Sequence, residues 1–282
     1  MTAMVRALTS LAIFLLTSVA PKLPAAKTSG SPSAIPVQLA SSVADVQAER
    51  ELLDLTNQAR AQAGVPPLQQ DDGLTQAARV HAQQMAAQGE ISHQFPGEPT
   101  LTDRIALVTA AHLDRAAENV AYAGSPERVE NTLMNSPPHR ENLMNPAYNV
   151  VGIGAVRNGN TLYVAEDFGH QLPSYSTEQA SEMVAAGVQR LRSQERLPAL
   201  QAADNRNTQA AACDMAEANS LNTTAPQARY VLRYTAALPD NIPPSISRAV
   251  SDRSLRAFAA GVCYARTASY PNGVYWVMLT FY

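Results

Sequence analysis

The sequence predicts an α+β protein made of two unequal copies of one unit, helices first and a β-hairpin last. Three observations predict it. Apolar residues recur at helical spacing through much of residues 43–135 and give way to a glycine-marked hairpin at 149–168. VPPLQ at Val65–Gln69 returns as LPALQ at Leu197–Gln201, each following a helical run and preceding an alanine-rich one. The closing GVCYARTASYPNGVYWVMLTFY repeats the strand, turn and strand of the first hairpin, with its turn placed at Asn272-Gly273.

Each element has a local reason. Ser42 is placed to cap a helix over 43–63, which Gly64 and Pro66-Pro67 stop. Asp72 caps a second helix over 73–88, stopped by Gly89. Its apolar face is Leu74, Ala77, Ala78 and Met85, and His81 falls on that face as a core histidine. Residues 91–117 read as loop around one short helix at 101–108. Ser125-Pro126-Glu127 opens a third helix running to Asn135, with a cap, a proline at the first position and an acid in the first turn. Pro137 drives Ser136 out of the helical region, so Ser136 caps one more short helix that starts at Pro137. Asn158-Gly159-Asn160 turns the hairpin. Leu68 reappears as Leu200 and Ile153 as Val262, so the second copy is shorter in between by about 23 residues. That stretch holds most of the first copy's titratable side chains. A chance likeness of two such units is the alternative.

The ends and the totals bound the function. Arg6 followed by the apolar run Ala7–Ala20 reads as an export signal over 1–26, too short for a good membrane span, with an uncleaved anchor as the alternative. Its removal leaves no integral membrane segment. Residues 27–45 read as a Ser/Pro/Ala-rich linker, 46–171 as the first domain and 172–282 as the second. The chain is 46% hydrophobic, 16% charged and carries a net charge of −3 with no basic block, so nothing favours nucleic acid as a partner. In an exported chain the two cysteines, Cys213 and Cys263, suggest one disulfide; two unrelated buried thiols are the alternative.

Candidate chemistry gathers in three loop-like stretches. In NSPPHRENLMNP, His139 sits in the first turn of a rigid helix whose positive end disfavours imidazolium, so a neutral ring is expected there. Neutral imidazole binds metal or accepts a proton. ISHQFPGEP presents His93, and AENVAYAG presents Glu118 and Asn119. Two histidines and a glutamate between packed elements make a polar cleft. Ser136 is better used as a cap than as a nucleophile aimed at His139. His112 and His170 read as exposed residues near loops, without a role.

The pieces LLDLTNQARAQAGVPPLQQDDGLTQAARVHAQQMA, SHQFPGEPTLTDR, AEN, MNSPPHRENLMNP, YNVVGIG and VAEDFG follow one another between Glu49 and Gly169. In this ordered set the chain resembles the CAP superfamily, or SCP domain, of cysteine-rich secretory, antigen 5 and pathogenesis-related proteins, in its short bacterial branch. The resemblance implies a three-layer α-β-α sandwich with a mostly antiparallel sheet, and a cleft lined by His and Glu that in some members binds a divalent metal such as zinc. His93, Glu118 and His139 match cleft positions, with Asn119, Ser136 and Arg140 beside them, and those first three form the candidate metal set. Ala117, Leu133 and Pro138 depart from the family pattern, and Ser136 and Ala147 stand where long members carry a second glutamate and a second histidine. The second copy keeps none of the cleft residues, and reads as a diverged CAP-like domain.

The expected function is a secreted, periplasmic or cell-envelope binding module, not an enzyme. Its cleft would hold a small lipid-like or peptide ligand, or an extracellular protein, with or without zinc or another divalent metal. One alternative is a metal-dependent hydrolase or protease using His93, His139 and Glu118. The other is an envelope structural or adhesion protein.

Overall fold

The computed structural model describes residues 43–282, so the export signal, most of the linker and the Ser42 cap lie outside the described residues. The first half runs α1 (Val46–Gln62), β1 (Gln69–Gln70), α2 (Asp72–Gln88), α3 (Leu101–Val108), β2 (Leu113–Ala123), α4 (Pro126–Met134), α5 (Pro137–Met144), β3 (Val150–Asn158) and β4 (Thr161–Gln171). Its sheet has the order β1-β3-β4-β2, antiparallel except for the short β1–β3 pairing.

Alternation along the strands builds three layers. Val151, Ile153, Val164 and Phe168 face Leu52 of α1 and Val129 and Leu133 of α4. Val156, Ala165 and Val120 face Ala78, Ala82 and Met85 of α2. On that side Gly152 and Gly154 lie directly beneath the α2 backbone at Leu74–Thr75 and Ala78–Arg79, where any Cβ would collide. The expected α-β-α sandwich is therefore present. The caps of α1 and α2 are one residue or more from their expected places. Asp45 caps α1 by accepting from Ala48 N, and Asp71 caps α2 by accepting from Leu74 N. Gly89 ends α2 in the left-handed region, as expected.

The second half runs α6 (Thr177–Gln194), β5 (Gln201–Ala202), α7 (Arg206–Glu217), β6 (Tyr230–Ala236), a 3-10 turn (Pro244–Ile246), α8 (Ser247–Val250), β7 (Ala257–Thr267) and β8 (Tyr270–Phe281). Its sheet order, β5-β7-β8-β6, repeats that of the first. The side-chain ties repeat as well. Asn57 exchanges two hydrogen bonds with the backbone of Leu68, and Gln189 does the same with Leu200. Arg60, fully buried at the end of α1, donates to the carbonyls of Pro66, Leu143, Asn145 and Tyr148. Arg192 of α6 donates to those of Pro198, Val250 and Asp252. Cys213 of α7 and Cys263 of β7 form the expected disulfide.

Two readings of the sequence are corrected here. The β7–β8 turn is not Asn272-Gly273: the strands reverse at Ala268-Ser269, and Asn272-Gly273 forms an irregularity inside β8. Gly273 takes φ +90 there, with the Tyr264 ring packed where a Cβ would stand. His112 is not exposed. It is 1% exposed between the halves, edge-on to Tyr264 and Tyr275 at 5.0 and 5.7 Å. Arg266 bridges the halves beside it, donating to the carbonyls of Ala106 and Ala111. No helix among the described residues is long and apolar enough to cross a membrane.

Candidate functional site

Glu118 and Asn119 lie not in a loop but in the middle of β2, because the strand starts earlier than the loop-like composition of 91–117 suggested. Across the β2–β4 ladder Glu118 stands opposite Asp167, and Asn119 opposite Glu166. Neighbouring residues of a strand face opposite ways. Glu118 and Asp167 thus sit on the α2 side of the sheet, Asn119 and Glu166 on the α4–α5 side.

On the α2 side Glu118 is buried and both its oxygens are engaged. Oε1 is 2.9 Å from His93 Nδ1, and Oε2 accepts from Arg104 Nη2 of α3. Arg104 Nη1 donates to the His93 carbonyl at 3.2 Å and lies 3.6 Å from Glu98 Oε1. Glu98 in turn accepts from Phe95 N and meets His81 Nδ1 at 2.6 Å. His81 Nε2 faces the Ser92 carbonyl at 2.7 Å and so carries a proton, since a carbonyl only accepts. His81 is the satisfied core histidine expected, yet it braces the loop that presents His93. Burial, and then the neighbouring Glu118 charge, push the Asp167 carboxyl well above the usual carboxylate range.

On the α4–α5 side Asn119 acts as a clamp. It donates to the His139 carbonyl at 3.1 Å and to Glu166 Oε2 at 3.3 Å, and accepts from Asn142 Nδ2 at 3.0 Å. This holds α5, and with it His139, against the sheet edge. Burial and the nearby Glu130 raise Glu166 to about 8, against the Asn119 hydrogen bond. Burial also raises Glu130, which accepts from Thr56 at 3.1 Å.

His139 is held below the ordinary histidine range, the direction the sequence suggested, but burial is the main cause and the charge of His93 the second. Its Nδ1 lies 2.8 Å from Ser136 Oγ. Ser136 makes no side-chain cap, so the reading that its hydroxyl is used as a cap is corrected: it meets the imidazole instead. Pro137 at the first helical position already removes one of the amides that a cap would serve. Arg140 is exposed on the far side of α5 and joins no hydrogen bond of this network. The structure therefore joins His93 to Glu118 on one side of β2 and Asn119, Ser136 and His139 on the other, and leaves Arg140 out.

Among the described residues no three His, Cys, Asp or Glu side chains gather as a metal-holding group. Glu118 faces His93 and Arg104, leaving the Nε2 atoms of His93 and His139, unbonded among the described residues, as the nitrogens best suited to a metal. Sequence reasoning missed Glu98, Arg104, Glu130, Glu166 and Asp167. The signal for the last two was available: two adjacent acids inside the apolar run LYVAEDF cannot both reach solvent from a central strand.

Beside the network, α2, α3 and the 96–99 loop enclose a cavity of about 380 Å³. Ala77, Val80, Pro99, Leu107 and Val108 give it apolar walls, and Glu98 and Arg104 close its polar end. Neither His93, Glu118 nor His139 lines it; Arg104 connects the two.

Residues 53–168 match the model of the cysteine-rich secretory protein (CAP) family. YkwD of Bacillus subtilis (strain 168) is 34% identical over 113 residues, covering 40% of this chain and 44% of that protein. YlbC of the same organism, named a membrane protein, is 34% identical over 39% of this chain and 32% of its own length. The chain thus spans less than half of the curated relatives it matches. Among solved structures, an extracellular SCP-domain protein of Bacillus anthracis is 26% identical over 44% of this chain and 41% of that one, with TM-score 0.40. The matched span runs from α1 to the end of the VAEDF run, so the similarity to the CAP family takes in every residue of the polar network.

Proposed function

We propose that the CAP domain is a non-catalytic binding module of the cell exterior or envelope, taking a small ligand with an apolar body and a polar head. The observation that carries this reading is the cavity between α2 and α3, apolar along its walls and ended by Glu98 and Arg104 of the buried network. Such a shape suits an acyl chain or an apolar peptide side chain, with Arg104 near its polar end. The burial of Glu118 between His93 and Arg104 supports binding over hydrolysis, because a general base has to come within hydrogen-bond reach of its water. Exterior location rests on the export-signal reading and on similar proteins that are named as extracellular or outer-surface. The second sheet is proposed to be a degenerate copy of the first.

A divalent metal enters this proposal only through His93 and His139, with Glu118 orienting the His93 ring as an outer partner. The contact between Ser136 Oγ and His139 Nδ1 favours a second, hydrolytic reading. Among the described residues no carboxylate meets the other nitrogen of that ring, as a full triad requires.

The test is fluorescence titration with a naphthalene-labelled fatty acid, alongside turnover assays with acyl esters and peptides. Saturable binding in the wild type, lost in Leu107→Asp and kept in His139→Ala, is the expected outcome. Turnover that disappears with Ser136→Ala or His139→Ala would replace the binding module by an enzyme.

A further inference from the structure

The second half contains a cavity of about 710 Å³ at the end of α6, around Arg192. Its framework repeats the Arg60 knot of the first half, so the two can be compared residue by residue. Arg192 copies the carbonyl contacts of Arg60 with one exception. Arg60 Nη2 donates to Tyr148 O. The corresponding carbonyl in the second half, Leu255 O, is taken by Arg256 Nη1 at 3.0 Å, and Arg192 Nη2 has no partner among the described residues. Arg192 is 2% exposed and lines the cavity, so a strong donor is left unfilled at its wall.

The rim has changed as well. In the first half the corresponding positions are Gly64, Pro146 and Asn149, none of them charged. In the second they are Arg196, Arg253 and Arg256. The ladder fixes the last pair: Gln69 N donates to Asn149 O, and Gln201 N to Arg256 O. Arg196 takes φ +56 where Gly64 takes +72. A left-handed arginine is strained where a glycine is relaxed. Among the described residues none of Arg196, Arg253 and Arg256 is in a salt bridge. The neighbouring Asp252 is engaged by Ser254, Tyr230 and Arg229, and the lining of the cavity holds four arginines and no acid.

We propose that this cavity is a binding site for a phosphate-bearing ligand. Guanidinium groups match phosphate oxygens in pairs, and exposed arginines on a rim can close round a tetrahedral anion. Leu197, Pro198 and Leu255 offer an apolar floor to the remainder of the ligand. A free phosphate compound and an anionic lipid headgroup present the same chemistry. The site is independent of the CAP cavity and of the ligand proposed there.

The experiment uses the full chain and two probes. Pyrophosphate is titrated by calorimetry at 50 and 200 mM salt, and phosphatidylglycerol vesicles are compared with phosphatidylcholine vesicles by co-sedimentation. The proposal expects saturable binding of at least one anionic probe, weaker at high salt and at least tenfold weaker in Arg253→Gln/Arg256→Gln. Pyrophosphate binding alone assigns the site to a free phosphate compound; vesicle binding assigns it to a headgroup. Arg196→Gly separates binding from folding, because it restores the first-half residue at the strained position. It should weaken binding at least tenfold with Tm unchanged or raised. No saturable binding of either probe, full binding in the double variant, or a lowered Tm in Arg196→Gly would each overturn the proposal.

Discussion

The two halves carry the same strand pair with opposite contents. In the first, β2 and β4 place Glu118 opposite Asp167 and Asn119 opposite Glu166. In the second, β6 and β8 place Val231 opposite Thr280 and Leu232 opposite Leu279. The sequences show the exchange directly: Val164-Ala165-Glu166-Asp167-Phe168 against Val277-Met278-Leu279-Thr280-Phe281. Leu279 packs in an apolar cluster with Val262 and Tyr275, and Thr280 bonds Thr208 at 3.1 Å. The backbone plan therefore does not need the acids. Burying three carboxyl groups costs stability unless each is paired or protonated, so the first half maintains a polar network that the second has exchanged for core and a disulfide.

The largest expected effect comes from unpairing that network. Arg104→Met leaves Glu118 buried without its cation and should cost about 3–5 kcal/mol, measured as a shift in the urea midpoint. A loss under 1 kcal/mol would mean that the acids are carried by solvent rather than by Arg104.

Next is the disulfide. Replacing Cys213 and Cys263 by Ser should cost on the order of 4 kcal/mol for the loop they close. The single tryptophan, Trp276, is buried in the second half and reports on it. Its fluorescence should then melt below the far-ultraviolet dichroism signal. Coincident melting would show that the halves unfold as one unit.

Glu166→Leu makes the first half resemble the second. Glu166 is raised to about 8, so the folded chain holds a proton that the unfolded chain releases above about 4.5. Its contribution is complete below that pH and is lost as pH rises towards 8. The variant should flatten this fall and gain roughly 2 kcal/mol at pH 8. Equal pH dependence of wild type and variant in urea unfolding would place the titration elsewhere.

The smallest effect lies between the halves. His112 is held below the ordinary range mainly by burial, with Arg266 adding to the effect while the Pro173 backbone and Asp114 oppose it. Its contribution is present above the ordinary histidine range and is lost as pH falls through about 6.5. His112→Phe should therefore be the more stable at pH 5, by about 1 kcal/mol, with little difference at pH 8. Thermal melts at the two pH values decide it.

Much of this was legible in the sequence where the cause is local. Gly89, Pro126 and the Leu101–Val108 helix are dictated by neighbours a few residues away, and the repeated VPPLQ and LPALQ mark the two copies because an amide of the preceding helix ties down the leucine of each. The cleft set was legible as a resemblance, yet its geometry was not. Whether Glu118 is a free carboxylate depends on Arg104, which belongs to another helix and shows no local signal. Asn272-Gly273 looked like a turn because its dipeptide favours one, but the packing of Tyr264 against Gly273 and the pairing of Thr267 with Tyr270 move the reversal upstream. His112 was misread for the same reason: its ring packs against Tyr264 and Tyr275, far along the chain.

The arginine knots bear on the order of events during synthesis. Three of the four carbonyls that Arg60 meets lie in residues 143–148, and β1 pairs only with β3. The opening helix of the first half therefore waits, without its anchor, until more than eighty further residues have been made. Arg192 waits in the same way for Val250 and Asp252, and β7 for Tyr282, whose carbonyl accepts from Arg256 and Ala257. Each half is thus assembled late and in a single step on the growing chain, the first before the second has its last strand. A nascent chain stalled after Gln171 and before β7 would then have every strand of the first sheet, and a helix α6 still without its partners.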